Sequence, residues 1–522
     1  MSRITGLVRE IVMARIFGAG QVADAFLIGF RIPNLTRDLF AEGALSSAFV
    51  PVFSEYLSKK TKEEAAALAN LVATALIVVV GSVCLLGIIF APQLVMLFAS
   101  GYTQVPGKFE LAVLLTRIMF PFLLLVALAA QAMGVLNACN QFGVPALAST
   151  FFNLGSLFFG LLLGFWAGSW IGISQIEGMA YGVVLGGALQ LLWQVPSLNR
   201  AGFRFRPGFD WSHPGMSRIL HMMGPAILGN AAVQINVLIN TSFASRLVDP
   251  LVGPNGPVSW LSYAFRFMQL PLGIFGVAVA SATLPSISRS AAANNIEEFR
   301  ETLSRSLSLV FFLTAPSSIG LAVLGESIVG AIYQGGRFEL YDTQQTARAL
   351  SCYALGLVGY SVTKVLNPAF YALADSRTPL AVSALSVLIN WTAVTAIVNK
   401  TSLGHAGLAL STSLVAAFGG VALLWIMRAR IGGIHGRRIR TTALQVTCAS
   451  AIMGGAIWLS SRVVVTWLGT GKLARLTDLA ISIPLGLAVF YCVSLLMRIP
   501  ELDTAKNTLG NLIRRRVPRA AL

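Results

Sequence analysis

Ten basic side chains lie inside long stretches of otherwise apolar residues, where a charge is unfavourable. On insertion scales a Lys or Arg at the centre of a bilayer costs about 2.5–3.5 kcal/mol, so we expect such residues to face water, a partner or a ligand. Those near the ends of their stretches, Arg15, Arg348 and Arg462, are expected to extend to the interface instead. The full set is Arg3, Arg9, Arg15, Arg31, Arg37, Arg117, Arg266, Arg348, Lys364 and Arg462.

Three of these arginines, Arg9, Arg37 and Arg266, have no obvious acidic partner on the same helix face. A guanidinium presents a fixed fork of donors, and three of them can serve several non-bridging oxygens of a diphosphate. The low dielectric constant of a membrane cavity strengthens that attraction. The three residues therefore predict an anion-binding cavity suited to a diphosphate.

A polar stripe follows one face of the helix predicted from about residue 24 to residue 50. At about 100° per residue, its members fall within roughly 80° of one another, whereas Arg37 points about 100° away from Asp38. One interpretation is that Arg31, Asp38 and Glu42 neutralise one another between helices. The other is that the stripe supports the anion site. Its members are Asp24, Arg31, Asn34, Asp38 and Glu42.

The composition indicates the elements that must position these side chains. The chain has 522 residues, of which 56% are hydrophobic and only 11% charged, and its mean hydropathy is +0.74. Soluble domains average about 25% charged residues, so a water-soluble protein is excluded. Because a span needs about 20 apolar residues, we predict an all-α polytopic membrane protein with about fourteen transmembrane helices.

The predicted organisation follows from charge-free runs and the turn signals between them. The first, second and seventh spans are predicted near residues 4–19, 24–50 and 219–245. The segments in chain order are an N-terminal lobe of six helices at 1–199, a basic linker at 200–218, a second lobe of six helices at 219–428, a basic loop at 429–440, a helix pair at 441–497 and a basic tail at 498–522.

An internal repeat supports the two lobes. Residues 108–111 (KFEL) match residues 337–340 (RFEL) at an offset of 229, and residues 136–137 match 366–367 at an offset of 230. Such a period spans six helices, so the copies have the same orientation and form a parallel repeat, with a substrate path expected between them. The last two helices fall outside the repeat and are predicted to be an accessory pair.

The distribution of basic residues predicts the orientation. The segments on one face hold 22 Lys and Arg residues, and the opposite loops hold only 6. Basic residues are retained on the cytoplasmic side, so both termini are expected there. The basic tail at 514–519 is then a determinant of topology and a contact for anionic lipids, and no nucleic-acid partner is expected.

The motifs of an enzyme are missing from the sequence. The four histidines occur in no metal-binding spacing, the five cysteines form no CxxC pair, and residues 469–472 (GTGK) lack the first glycine of a phosphate-binding loop. We therefore predict no catalytic residue and no cofactor, and the identity of any metal ligand stays unknown. Transport would be driven by a coupling cation or by the membrane potential. Gly160, Gly164 and Gly168 predict close helix packing within the chain.

Several long motifs resemble the MurJ (MviN) family, the lipid II flippases of bacterial peptidoglycan synthesis. The resemblance extends nearly end to end. The motifs in the first half are residues 2–10 (SRITGLVRE), 14–20 (ARIFGAG), 23–26 (ADAF), 33–35 (PNL) and 40–44 (FAEGA). Those that follow are residues 224–229 (GPAILG), 258–260 (VSW), 364–366 (KVL) and 405–408 (HAGL).

The resemblance implies a protein of the bacterial inner membrane that carries lipid II outward by alternating access through a central cationic cavity. It assigns substrate binding to Arg3, Arg9, Arg37, Arg266 and Asp24, and it makes the last two helices a groove for the polyprenyl tail. Glu10, Arg31, Asn34 and Glu42 are expected to support the site. The implied partners are lipid II, membrane lipids and the cell-wall synthesis machinery, and we expect a monomer.

The sequence departs from the family pattern at three places. Glu10 stands where aspartate is common, and it keeps the charge while changing its reach. Phe265 and Gln269 flank Arg266 where some relatives have acids. The first span, residues 4–19, gives about 24 Å of helix against a core of about 30 Å, so an upstream start is expected.

Three alternatives stay open. A flippase for another undecaprenyl-diphosphate-linked saccharide would share the cationic cavity without the long motifs. An integral membrane transferase would need a deep acid or histidine and would change its lipid covalently. A scaffold for the cell-wall machinery would tolerate loss of all three cavity arginines.

Overall fold

The computed structural model describes residues 2–38 and 45–503. Within these ranges the regular elements are helices, accompanied by one isolated β-bridge between Asp249 and Gly253. The predicted all-α fold is confirmed. The chain divides into two compact units, which we call unit 1 (Met1–Ser259 with Gly336–Phe338) and unit 2 (Trp260–Gly335 with Glu339–Leu522).

Unit 1 contains twelve α-helices within the described ranges and the start of a thirteenth. They are α1 (Ser2–Phe17), α2 (Gln21–Arg37), α3 (Ser46–Lys59), α4 (Lys62–Ile89), α5 (Ala91–Ala99), α6 (Lys108–Met119), α7 (Pro121–Ala138), α8 (Gly143–Leu161), α9 (Gly168–Ile171), α10 (Gln175–Leu192), α11 (Val195–Arg200), α12 (Pro214–Arg246) and α13 (Pro257–Pro271). A 3₁₀ turn follows α5 at Ser100–Gln104, and a π-helix joins α8 to α9 at Leu162–Ala167.

Unit 2 takes most of α13 and nine further helices within the described ranges. They are α14 (Val277–Ala292), α15 (Ile296–Val323), α16 (Gly325–Tyr333), α17 (Leu340–Ala354), α18 (Leu357–Ala372), α19 (Arg377–Lys400), α20 (Gly404–Arg430), α21 (Gly436–Leu468) and α22 (Lys472–Leu496). A π-helix at Leu272–Gly276 joins α13 to α14.

Local sequence signals set the starts of the helices. The Thr61 side chain accepts a hydrogen bond from the backbone N–H of Glu64 at 3.2 Å and caps α4. Ser174 and Glu177 form a reciprocal capping box at the start of α10. Such caps satisfy N–H groups that have no partner within the helix. Pro121, which has no N–H group, marks the break between α6 and α7.

In unit 1, aromatic rings fill one core and small residues another. Phe49 stacks on Phe53 with ring centroids 5.1 Å apart, and Phe203 contacts Phe53 edge-on at 5.6 Å. Helices α8 and α10 approach so closely that a Cβ atom added to Gly182 would lie 2.5 Å from the Cα of Gly160. The predicted use of Gly160 in packing within the chain is confirmed, because α10 covers this face of α8.

In unit 2, the accessory pair packs against α15. Phe312 of α15 contacts Phe490 of α22 with centroids 5.2 Å apart, and Met453 of α21 is buried in the same cluster. Phe299 and Phe370 belong to a separate buried cluster that joins α15 to α18. Helices α21 and α22 are therefore held to unit 2 by apolar contacts.

Ten helices in the described ranges are long and apolar enough to span a membrane, or eleven if the bent pair α17 and α18 counts as one span. The predicted count of fourteen is not confirmed. The regions predicted as spans one, two and seven are helical, as α1, α2 and α12, but are not among the ten. The division between the units falls inside α13, after Ser259, whereas we predicted a linker at 200–218; the predicted lobe boundaries stay a prediction.

Candidate functional site

Arg9 of α1 lies between two aromatic rings of unit 1. Its guanidinium carbon is 5.6 Å from the ring centroid of Phe30 on α2 and 5.3 Å from that of Phe152 on α8. The face of a guanidinium interacts with rings, whereas its hydrogen bonds are made along its edge. The two rings therefore fix the orientation of the Arg9 side chain, which is half-buried.

Arg37 is paired with the residue that follows it. Its Nε and Nη2 atoms donate to Asp38 Oδ1 at 3.3 and 2.9 Å, and the two side chains are 20% and 34% exposed. Arg37 therefore has an acidic partner, although the two residues start from different faces of the helix. Helix geometry separates the two Cβ directions by about 100°, but the long arginine side chain bends around the helix end to reach its neighbour.

The described members of the polar stripe of α2 make contacts with different partners. Arg31 donates from Nη1 to Thr241 Oγ1 of α12 at 2.7 Å. Asp38 accepts from Arg37, and Asn34 is half-buried. Glu42, expected both to neutralise Arg31 and to support the anion site, lies outside the described residues. Within the described residues, the stripe contributes a contact between helices and an ion pair with a neighbouring residue, and the mutual neutralisation of Arg31, Asp38 and Glu42 stays a prediction.

Asp24 is completely buried and accepts four hydrogen bonds. Its Oδ1 accepts from the backbone N–H of Ser259 at 3.0 Å and from the Ser259 hydroxyl at 2.6 Å. Its Oδ2 accepts from Lys108 Nζ at 2.8 Å and from the backbone N–H of Gly256 at 3.0 Å. Because these donors occupy both carboxylate oxygens, Asp24 fixes the segment before α13 to the start of α2.

Lys108 completes this cluster. Besides Asp24, its ammonium donates to the Pro254 carbonyl at 2.9 Å and to Asn255 Oδ1 at 3.0 Å, so three acceptors serve its three protons. It also lies 4.2 Å from the ring centroid of buried Tyr102. Lys108 is one of the six basic residues counted in the loops opposite the basic face, although the repeated KFEL motif that begins there marked it as unusual.

The remaining predicted residues are divided between the units. Arg3 is exposed and Glu10 half-buried on α1 in unit 1. Arg266 is half-buried on α13 in unit 2, beside Phe265, whose ring contacts Tyr353 edge-on at 5.3 Å. Unit 1 therefore holds Arg3, Arg9, Arg37 and Asp24, and unit 2 holds Arg266. Among the described residues, no three His, Cys, Asp or Glu side chains are grouped to hold a metal ion.

Ten apolar candidate spans within the described residues, together with half-buried arginines on α1, α2 and α13, are typical of a polytopic membrane transporter. Solved structures have the same fold. An inward-facing multidrug resistance MATE transporter of the MOP superfamily has a TM-score of 0.67 at 14% identity, covering 83% of this chain and 95% of that one. A lipid II flippase MurJ in an inward closed conformation has a TM-score of 0.76 at 25% identity, covering 95% of this chain and 97% of that one.

Sequence comparison identifies the family within this class. The family model described as lipid II flippase MurJ matches residues 13–477. A probable lipid II flippase MurJ of Vibrio cholerae is 34% identical, covering 97% of this chain and 95% of the relative. The lipid II flippase MurJ of Burkholderia cenocepacia is 36% identical, covering 82% of each chain. The chain belongs to the MurJ family.

Proposed function

We propose that the protein is a lipid II flippase, a transporter and not an enzyme. It moves the undecaprenyl-diphosphate-linked peptidoglycan precursor from the inner to the outer leaflet of the bacterial inner membrane by alternating access. The observation that carries this proposal is family membership over residues 13–477, with relatives of 34% and 36% identity that are named lipid II flippases.

The diphosphate is the part of lipid II that matches the arginines. Arg9 and Arg37 of unit 1 and Arg266 of unit 2 bind its oxygens, and Arg3 provides a further positive charge. The aromatic contacts of Arg9 support this role, since they fix the orientation of its guanidinium. Pairing with Asp38 leaves Arg37 partly exposed, so a stronger anion can replace that carboxylate.

The other predicted residues act around this contact. Asp24 contributes by position, because its four hydrogen bonds fix α2 to the segment before α13. Arg31 joins α2 to α12 through Thr241. Glu10, Asn34 and Glu42 keep their proposed supporting role.

The accessory pair α21 and α22 binds the polyprenyl tail. Its outer surface carries exposed apolar side chains in both helices, which suit contact with hydrocarbon. They include Trp458, Val463 and Trp467 of α21 and Leu487 and Leu496 of α22.

Both termini lie in the cytoplasm, and no bound cofactor is required. The 22 to 6 distribution of basic residues supports the orientation. The membrane potential, about 2.3 kcal/mol per charge per 100 mV, drives a polyanionic substrate outward, alone or with a coupling cation. The protein works as a monomer beside the cell-wall synthesis machinery.

A green fluorescent protein fused after Leu522 tests the proposed orientation. The fusion should fluoresce if the C-terminus is cytoplasmic, and a non-fluorescent, externally exposed fusion would contradict the orientation.

The function is tested by the surface exposure of lipid II in bacteria depleted of their own flippase. The wild-type chain should restore exposure, and Arg266→Ala should not, because the variant loses a diphosphate contact. Arg289→Ala is the matched control, since Arg289 is exposed on α14 in the same unit. All variants must be present in the membrane in equal amounts.

Each outcome decides a separate part of the proposal. If the inserted wild-type chain restores no exposure, lipid II is not its substrate, and another polyprenyl-diphosphate-linked saccharide becomes the better candidate. If Arg266→Ala restores exposure as well as the wild type, Arg266 does not bind the diphosphate. Restoration by a variant that lacks all three arginines would favour a scaffold.

A further inference from the structure

A carboxylate surrounded by serines lies inside the accessory pair. Asp478 of α22 is completely buried, and the hydroxyls of Ser327 and Ser461 donate to its Oδ2 at 2.5 and 2.7 Å. The Ser482 hydroxyl lies 2.8 Å from Oδ1 and 3.0 Å from Ser460 Oγ. Three helices, α16, α21 and α22, thus supply one cluster of five oxygen-bearing side chains.

Charged groups around the cluster are paired elsewhere. Within the part of the chain that the structure describes, Asp478 takes part in no ion pair. Arg475, one turn earlier on α22, donates to Glu326 of α16 at 2.8 Å and to the Thr470 carbonyl at 3.2 Å. Arg462 of α21 lies over the Trp458 ring at 4.3 Å.

The other charged groups on these helices lie toward their ends. Lys472 is exposed at the start of α22. The charged residues of α15, which also packs against α22, lie at positions 297–305, in its first three turns. The basic residues 437–440 of α21 begin that helix, more than five turns before Ser460.

The chemistry of the shell distinguishes Asp478 from the other buried carboxylates. A hydroxyl can donate to a carboxylate and can accept from a carboxylic acid. Asp24 instead receives an ammonium and two backbone N–H groups, which only donate, besides the hydroxyl of Ser259. Asp375 receives the N–H groups of Arg377 and Thr378 and the guanidinium of Arg430, besides the hydroxyl of Thr378. Buried Glu501 accepts from the Thr442 hydroxyl and forms an ion pair with Arg438 at 3.7 Å. Among these four described carboxylates, Asp478 has a shell made of hydroxyls without a cation, and such a shell suits both the ionised and the protonated form.

The dimensions of the cluster favour a proton over a metal cation. Its oxygen atoms are 2.5–3.0 Å apart, which is hydrogen-bond distance. A hard cation held at about 2.3–2.6 Å from each of several oxygens would force these atoms farther apart. Binding of a proton needs no such expansion, because it only reverses the direction of one hydrogen bond between the carboxyl group and a serine.

We propose that Asp478 is a reversible proton-binding site that sets how firmly α22 is held to α16. When Asp478 takes up a proton from water, the protonated carboxyl oxygen donates to the Oγ atom of one serine. The hydroxyl of that serine no longer donates to the carboxyl group and donates instead to a backbone carbonyl one turn earlier. Release returns the proton to water and all three hydroxyls to the carboxylate. The site stands on these contacts and does not depend on the transported substrate.

Infrared difference spectra of the purified full-length protein at high and low pH test the proton site. The wild type should gain a carbonyl stretching band of a protonated, buried carboxylic acid as the pH falls. Asp478→Asn should lose this band, and the matched control Asp375→Asn should keep it. A band that persists in Asp478→Asn, or a wild type without a band wherever it stays folded, would overturn the proposal.

Two further measurements separate proton binding from a structural role. Ser327→Ala removes one donor that favours the ionised carboxylate, so the midpoint of the band should move to higher pH than in the wild type. Hydrogen exchange of α16, corrected for the intrinsic effect of pH, should increase below the midpoint in the wild type and be independent of pH in Asp478→Asn. An unmoved midpoint, or the same exchange above and below it in the wild type, would contradict the proposal. Because neither measurement uses lipid II, a failure here is distinguishable from a failure of the flippase function.

Discussion

The buried ion pair of Asp24 and Lys108 gives a prediction at the scale of single residues. The two side chains are 1% and 0% exposed. Removing one partner of a buried ion pair leaves an uncompensated charge and typically costs about 3–5 kcal/mol. We predict that Lys108→Met lowers the free energy of unfolding by about this amount. Thermal unfolding in detergent measures the change.

A double-mutant cycle shows whether the pair itself is responsible. Asp24→Asn combined with Lys108→Met should lose much less stability than the two single changes added together, because no charge is then left alone. Lys59→Met is the control, since the Lys59 side chain is 70% exposed beside Glu55 and should change nothing measurable. Strict additivity of the two buried changes would show that the ion pair does not stabilise unit 1.

Asp375 gives a prediction for pH. The Thr378 hydroxyl holds the pKa of this carboxyl below its ordinary value of 3.8, with the backbone N–H of Thr378, Arg430 and the N–H of Arg377 acting in the same direction against burial. A lowered pKa in the folded state gives stability above the ordinary pKa, and this stability is lost as the pH falls through the lowered value. Asp375→Asn should therefore lower the Tm at neutral pH, and the difference from wild type should shrink below pH 3.8.

Asp503→Asn serves as the control for this titration, because Asp503 is exposed and close to the last described position. Its Tm should follow that of the wild type at every pH. A difference between Asp375→Asn and the wild type that stays constant into acid would mean that the carboxylate charge is not what stabilises this turn.

Among the helices, α8 and α10 show how glycine determines packing. A Cβ on Gly182 would lie 2.5 Å from both the Cα of Gly160 and the carbonyl oxygen of Ser156. Gly182→Ala must push the helices apart, and such overpacking costs about 1–3 kcal/mol. Gly81→Ala on α4, where a Cβ would meet nothing within 4 Å, should leave stability unchanged or slightly higher. Equal Tm values for the two variants would contradict this account of the α8–α10 contact.

The glycine contact could be predicted from the sequence because its signal is local, a spacing of four residues on one helix. The partners of Asp24 could not, since Lys108 is 84 positions away and Ser259 is 235 away. Helix angles also misled at Arg37, because a flexible side chain reached a neighbour that the helix places on another face. Helix periodicity predicts the direction in which each Cα–Cβ bond points, but the charged end of a long side chain can lie over a different face of the helix.

For the whole molecule, hydropathy predicted the class of fold better than the number of spans. Of the helices that were expected to span but are not among the ten apolar ones, α1 has 16 residues and α2 has 17, fewer than the about 20 that a span needs, and α12 carries several polar side chains. Two of them carry Arg9 and Arg37. Arginines within a span lower its hydropathy, so hydropathy alone identifies such helices less readily.

The most direct test of the central claim is lipid II movement across liposomes that contain only the purified protein. A probe that cannot cross the membrane counts the lipid II that reaches the opposite leaflet. We predict that the wild type exceeds protein-free liposomes and that the variant carrying Arg9→Ala, Arg37→Ala and Arg266→Ala is slower by at least about tenfold, since each lost charge-assisted hydrogen bond is worth about 1.5–3 kcal/mol. Arg289→Ala should keep the wild-type rate. A wild-type rate in the triple variant would contradict the account.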